Sequence, residues 1–266
     1  MAQTGIEDSY PPLSGVPLAN KEPLNPARLA ALGTEPLPAE RFVIALVGLA
    51  FEARIAAGPG VFVICRDKEN EVAASLDLAI KRGCRSFISF GVAGGLAPHL
   101  RPGDWIVASS IIDAQQTRPT DQVWSEKMVE MIPGAGHAPI VGVDAAITDP
   151  EAKRRMYVKT GAAAVDMESH HVARIASRYG LSFAAVRVVI DPAHRVVPEA
   201  ALAGMRPGGG TSITAVLREL IARPSQLSGL LRIAVDAYAA RSALLRARRM
   251  LGPAFALPAN PAGAAP

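Results

Sequence analysis

Residues 164–191, AVDMESHHVARIASRYGLSFAAVRVVID, constrain the fold more than any other stretch of the chain. Val172, Ile175, Ala176 and Tyr179 recur at helical spacing over 169–179, whereas Phe183 to Ile190 is an apolar, β-branched run of strand length. A helix feeding a buried strand is the crossover unit of α/β proteins. Asp166 and Glu168 precede that helix, and Asp191 ends the strand just before Pro192, which cannot continue a ladder. Ligands of such sheets bind outside the carboxyl ends of parallel strands. All three carboxylates are therefore expected at one pocket.

The rest of the chain alternates in the same way. Strands are predicted at Arg41–Gly48, Val61–Cys65, Phe87–Phe90, Trp105–Ile112 and Ile140–Val143, and helices at Glu71–Arg82, closed by Gly83, then at 122–132 and 149–159. The cluster Gly91-Val92-Ala93-Gly94-Gly95 reads on its own as a tight strand-to-helix turn whose backbone can approach a ligand. No Gly-Lys-Ser/Thr follows, so it is not a P-loop. The pattern predicts an α/β fold, a three-layer αβα sandwich with a mixed central sheet.

A chain of 266 residues that is 50% hydrophobic can bury one sizeable core. One domain over 41–252 is expected, between a Pro-rich N-terminal arm at 1–40 and an Ala/Pro-rich tail at 253–266, both read either as mobile ends or as irregular arms that pack. The first residues have neither a basic nor an apolar leader region, and FVIALVGLAF at 42–51 is too short to span a bilayer. A net charge of +4 is too small to argue for nucleic acid. Cys65 and Cys84 match no metal spacing and read as buried, reduced thiols of a cytoplasmic protein.

Residues 226–250 carry Leu227, Leu230, Leu231, Ala234, Tyr238, Leu244 and Leu245 on an apolar side, with Arg241, Arg246, Arg248 and Arg249 crowded towards one end. One reading is an amphipathic helix that closes the core with its arginines solvated. The other is an interfacial helix touching anionic lipid.

Taken in order, D-M-E-S at 166–169, the strand-terminal Asp191 and FGVAGGLAPHLRPGDWIVAS at 90–109 resemble the purine nucleoside phosphorylase and nucleosidase superfamily. Its nearest well-known members are the 5′-methylthioadenosine/S-adenosylhomocysteine nucleosidases. GLAFEARIAAGPG (48–60) followed by FISFGVAGGL (87–96) resembles the hopanoid-associated phosphorylase group, implicated in removing adenine from adenosylhopane. The resemblance spans roughly 41–250.

The resemblance implies a nucleoside phosphorylase-like fold and cleavage of an N-glycosidic bond. Asp191 then resembles the acid that protonates the purine at N7, and Glu168 the carboxylate that binds the ribose 2′ and 3′ hydroxyls. An Asp at 191 in place of Asn points to a 6-aminopurine such as adenine. Met167 reads either as the floor under the ribose or as ordinary core, and Phe90 and Ile147 either as flanking the base or as core. Asp166 and the backbone of Gly91, Val92, Ala93 and Gly94 complete the expected substrate-binding set.

Glu52 is the candidate base for an attacking water, although its spacing from Gly48 is one residue off the usual one. Arg54 could bind phosphate, pair with Glu52 or sit solvated on a helix. Ser89 and Val92 stand where a phosphorylase commonly has its Arg and Ser, so hydrolysis is expected over phosphorolysis. His170 and His171, being adjacent on a helix, are expected to point apart, one packed and one exposed, and His194 to sit in a loop near Asp191. No cofactor and no metal is implied.

Compared with the methylthioadenosine nucleosidases, the chain is short between Asp113 and Asp144, which leaves room for a large 5′ substituent. The expected partner is a small-molecule adenosine with a bulky lipid 5′ group. A homo-oligomer is expected too, in the cytoplasm, with peripheral contact at the inner membrane surface through 226–250. The alternatives are phosphorolysis of the same substrate, a methylthioadenosine/S-adenosylhomocysteine-type nucleosidase, and a nucleoside-binding protein without turnover.

Overall fold

The computed structural model describes residues 42–65, 69–81, 83–196 and 227–259. Its elements in order are β1 (Val43–Val47), α1 (Ala50–Ala56), β2 (Val61–Cys65), α2 (Glu69–Lys81), β3 (Ser86–Gly95), β4 (Trp105–Ile112), β5 (Thr117–Pro119), α3 (Gln122–Met131), β6 (Gly136–Gly142), α4 (Pro150–Thr160), β7 (Ala164–Asp166), α5 (Ser169–Tyr179), β8 (Ser182–Asp191) and α6 (Leu227–Leu251). A short 3-10 turn at Pro253–Ala256 follows.

β1 is buried along its whole length between two parallel neighbours, β2 and β3, which is why it reads as an unbroken apolar run. The strands follow the order β2-β1-β3-β7-β6-β4-β5, and β8 joins β3 to β4. β3, β7, β6, β4 and β8 thus close into a ring. Pairing within it is mixed: β8 is parallel to β3 and antiparallel to β4, while β7 meets the end of β3 antiparallel.

Alternate residues of β3 and β8 feed two cores. On one face Phe87, Phe183, Ala185 and Val189 pack with Leu76 of α2 and Val172 and Ala176 of α5. On the other, Ile88, Phe90, Val186 and Val188 pack with α1, α3 and the Ala240, Ala243, Leu244 and Ala247 side of α6. Helices on both faces of a mixed sheet make the expected α/β layer fold.

Several details depart from the sequence reading. β3 continues through the glycine cluster to Gly95, because Gly91 keeps its pairing with β8 while Gly94 and Gly95 pair with Val165 and Ala164 of β7. Between Ala93 and Gly94 the register with β8 slips, so that Gly94 opposes Asp191. This is a β-bulge, a local change in the twist and aim of the strand. Gly136 and His137 extend β6 backwards by pairing with Ile106 and Val107, a backbone contact to which side-chain pattern is blind.

Among the described side chains of α6, it is the C-terminal half that closes the core. Leu231 and Tyr238 are 60% and 75% exposed, contrary to their assignment to the apolar side. Arg248 is not solvated: its Nε donates to the Ala56 carbonyl at 3.0 Å and its guanidinium lies 4.5 Å from the Phe255 ring centre. Phe255 is fully buried and its carbonyl accepts from the Trp124 indole at 2.8 Å, so packing continues past residue 252. Cys84 is buried and Cys65 half-buried, and no disulfide joins them. The arm at 1–40 and the side chains of Leu227 and Leu230 lie outside the described residues. Among those residues, no helix is long and apolar enough to cross a membrane.

Candidate active site

An arginine that sequence reasoning passed over organises the site. Arg187 sits in the middle of β8, fully buried, with its side chain directed across Gly91 of β3. Its Nε pairs with Asp166 at 2.5 Å and its Nη2 with Glu168 at 3.4 Å. The same Nη2 donates to the Ser89 hydroxyl and, at 3.3 Å, to that of Ser169, while Nη1 reaches the Val92 carbonyl at 3.4 Å. Burial works against the charge, but Asp166, Glu168 and Glu52 together more than offset it and hold the guanidinium ionised. The available signal was one charged residue inside an apolar strand, which demands partners when buried.

Glu52, in the first turn of α1, is 1% exposed. Its Oε2 accepts the backbone N–H of Gly48 at 2.8 Å and of Leu49 at 2.7 Å, and its Oε1 that of Val92 at 2.7 Å. These three amides tie the end of β1 to the glycine run and fix the register that the sequence left open. Burial, with the Glu168 charge adding to it, pushes the carboxyl up to about 7, against Arg187 and the amides. A methyl group on Gly48 would come within 2.6 Å of Glu168, so the two glutamates and Arg187 meet where β1 ends, beside the middle of β3 and β8.

Asp191 lies at the end of β8. One oxygen, Oδ1, faces Gly94, where a Cβ would be 3.3 Å away; the other, Oδ2, is held by the Lys153 ammonium. Burial raises the Asp191 carboxyl above the ordinary range, and Lys153 partly opposes it. The three acids of the 164–191 stretch thus occupy two adjoining places. Asp166 and Glu168 surround Arg187, and Asp191 stands beyond the bulge.

The other candidates divide. Met167 is half-buried in the bend between β7 and α5, Ala93 is buried, and Val92 supplies backbone to Glu52 and Arg187. Ile147 lies in the loop after β6, packed on Leu96, Val141, Ala162 and Val165. Phe90 points to the opposite face, its ring centre 4.8 Å from that of Phe255 in a tilted pair and away from the carboxylates, because alternate strand residues face opposite sides. Arg54 is exposed on α1 while Glu52 is buried, so it does not join the cluster. The cation that the glycine run lacks in its own sequence comes instead from β8.

His170 and His171 are both buried, at 2% and 8% exposure, with ring centres 3.9 Å apart, which corrects the expectation of one packed and one exposed ring. Gly142 leaves room for the His170 side chain, since a Cβ there would be 2.4 Å from its own, and the two rings are tilted by 38°. His170 Nε2 is 2.9 Å from Asp144. Asp144, His170 and His171 put one potential metal-donor atom each within 4.8 Å of one another, a trio the sequence reading did not foresee. His194 lies with Arg195, Val196, Gly229 and Arg232 around a pocket of about 300 Å³.

Solved structures with this architecture include a futalosine hydrolase and 5′-methylthioadenosine/S-adenosylhomocysteine nucleosidases. The native futalosine hydrolase of Helicobacter pylori strain 26695 is 16% identical, with 79% of this chain and 97% of that one covered and a TM-score of 0.55. A putative 5′-methylthioadenosine/S-adenosylhomocysteine nucleosidase from Francisella philomiragia is 15% identical over 79% and 96% of the two chains, also at 0.55. The 5′-methylthioadenosine/S-adenosylhomocysteine nucleosidase of Campylobacter jejuni is 14% identical over 78% and 98%, at 0.53. At such identities the likeness is one of fold. Among curated proteins none matches significantly. The family model of the phosphorylase superfamily matches residues 57–138 and 119–222, from β2 through the strand that carries Arg187 and Asp191, and the chain belongs to that superfamily.

Proposed function

We propose that the protein is a purine nucleosidase that hydrolyses the N-glycosidic bond of a 5′-substituted adenosine. In this reading Asp191 protonates N7 as the bond to the sugar stretches, and the bonding electron pair leaves with adenine. Glu168 accepts hydrogen bonds from the ribose hydroxyls. Glu52, whose carboxyl titrates near neutrality, removes a proton from the water that attacks the sugar carbon.

The observation that carries hydrolysis over phosphorolysis is the charge around Arg187. One buried guanidinium is shared by Asp166, Glu168 and Glu52. A phosphate dianion there would meet at least two ionised carboxylates and find the cation already engaged, whereas a neutral water meets no such repulsion. The structural neighbours named as hydrolases and nucleosidases fit the same reaction class.

The finer reading, adenosylhopane as substrate with ribosylhopane and adenine as products, rests on the resemblance of 48–60 and 87–96 to the hopanoid-associated group. Leu231, Val235 and Tyr238, exposed at successive turns of α6 beside Arg232, suit a cytoplasmic enzyme that meets its lipid substrate at the inner membrane surface. The reading also takes the enzyme to be a homo-oligomer.

The deciding experiment incubates the protein with a panel of 5′-substituted adenosines, adenosylhopane included, with and without phosphate. Adenine and a free reducing ribose should form in phosphate-free buffer. A ribose 1-phosphate formed only with phosphate would replace hydrolysis by phosphorolysis, and tight nucleoside binding with no adenine released would make the protein a binder.

A further inference from the structure

α4 exposes Glu151, Arg154, Arg155 and Lys159 and packs Met156 and Tyr157, half-buried, against the core, but the one residue it buries fully is Lys153. Removing an ammonium from water costs several kcal/mol unless a partner compensates. A helix that needed only to be anchored would present an apolar side chain at this position. Lys153 instead is fully buried, and its Nζ meets Asp191 Oδ2 and, at 3.3 Å, the carbonyl of Pro192.

The consequence for Asp191 is an asymmetry between its two oxygens. Oδ2 is engaged by the ammonium, and Oδ1 is the oxygen nearer to Gly94, 3.3 Å against 3.6 Å from where a Cβ would stand. We infer that Lys153 is a positioning residue for the acid, reserving Oδ1 for the proton transferred to the purine and stabilising the carboxylate that this transfer leaves behind. The inference rests on the nucleosidase reading and deepens it. The bonds balance: the Oδ1–H proton goes to N7, the C1′–N9 electron pair goes to the base, and the attacking water gives a proton to Glu52. Lys153 keeps its three protons throughout. Solvent afterwards restores the proton to Asp191 and takes one from Glu52.

The charged groups facing Asp191 are Lys153 from α4 and, further off, Arg195 from the segment after β8, itself paired with Asp236 of α6. Gly94 of β3, beside its carboxylate, and Val165 of β7, beside Gly94, bring no charge. Loss of Lys153 therefore removes the principal opposing charge from a buried acid, and the acid becomes weaker.

The test compares wild type with Lys153→Met and Lys153→Arg in two measurements. The first is the pH profile of kcat and KM for adenine release without phosphate. K153M should keep KM within about threefold, lower kcat by about ten- to a hundredfold, and move the alkaline limb of kcat up by about one pH unit, with K153R recovering most of the loss. The second, independent of activity, is the titration of the Asp191 carboxyl followed by carbon-13 NMR, which should move up by a similar amount in K153M. Should K153M not fold, Lys153→Gln takes its place. An unmoved limb and an unmoved Asp191 titration would overturn the inference and leave Lys153 as an anchor for α4. If wild type released no adenine while the Asp191 titration still moved, the pairing would stand and the nucleosidase reading would fail.

Discussion

Gly91 of β3 and Arg187 of β8 stand opposite each other in register, and a methyl group on Gly91 would lie 2.7 Å from the guanidinium and 2.4 Å from the Glu52 carboxylate. Both are ends of long side chains, but neither is free to swing aside, since amides and carboxylates hold them from the other side. Gly91→Ala should therefore lower stability by about 1–3 kcal/mol and disturb the cluster. Urea unfolding checks this. A midpoint equal to that of wild type would mean that the cluster yields.

Arg187→Met should be more damaging, because it leaves Asp166 and Glu168 buried without their cation. A loss of about 3–5 kcal/mol is expected. Adding Asp166→Asn to Arg187→Met should recover part of it, and a double-mutant cycle in denaturant measures how much. Strictly additive losses would argue against the pairing.

Glu52 links stability to pH. Its carboxyl is raised from 4.5 to about 7, so the folded protein binds this proton more tightly than the unfolded chain. The contribution is full below the unfolded value and is lost as pH rises through about 7, by about 3 kcal/mol in all. Denaturant melts at pH 5, 6, 7 and 8 should show wild type losing stability relative to Glu52→Gln across this window. In the same variant, phosphate-free adenine release should fall by about a hundredfold or more.

Asp191→Asn should retain the fold and lose adenine release by about two orders of magnitude or more, since an amide cannot deliver the N7 proton. Turnover within threefold of wild type would remove the acid from the mechanism.

Glu168→Gln should abolish discrimination between a nucleoside and its 2′-deoxy analogue, because a carboxylate that accepts from two hydroxyls becomes an amide with one good acceptor. Competition between the two substrates in one reaction measures this directly. Unaltered preference would assign the hydroxyls to another residue.

The layered fold was legible because β1, β3 and β8 are buried on both faces and write their length directly as apolar runs. Asp191 was legible by its place after such a run. Arg187 was hidden by the same logic: one charged residue among Val186, Val188 and Val189 does not break a strand pattern, and its partners come from other parts of the chain. Lys153 was hidden because a lysine on a polar helix looks solvated until the sheet beneath it is known. Phe90 was misjudged by one step of strand alternation, since Ser89 and Gly91 lie by Arg187 and the residue between them faces Phe255. The glutamate register depended on three backbone amides, which side-chain pattern does not encode.

The bulge at Ala93 and Gly94 changes the phase of β8 against its neighbour between the two ends of the candidate site. Had the register at Arg187 run on unbroken, Ile190 would oppose Gly94 and Asp191 would oppose Gly95. The one inserted step lets a single strand carry both the Arg187 guanidinium and the Asp191 carboxylate while setting their offset independently of the two-residue repeat. Gaining or losing that step would change the reach between the two clusters without redesigning either.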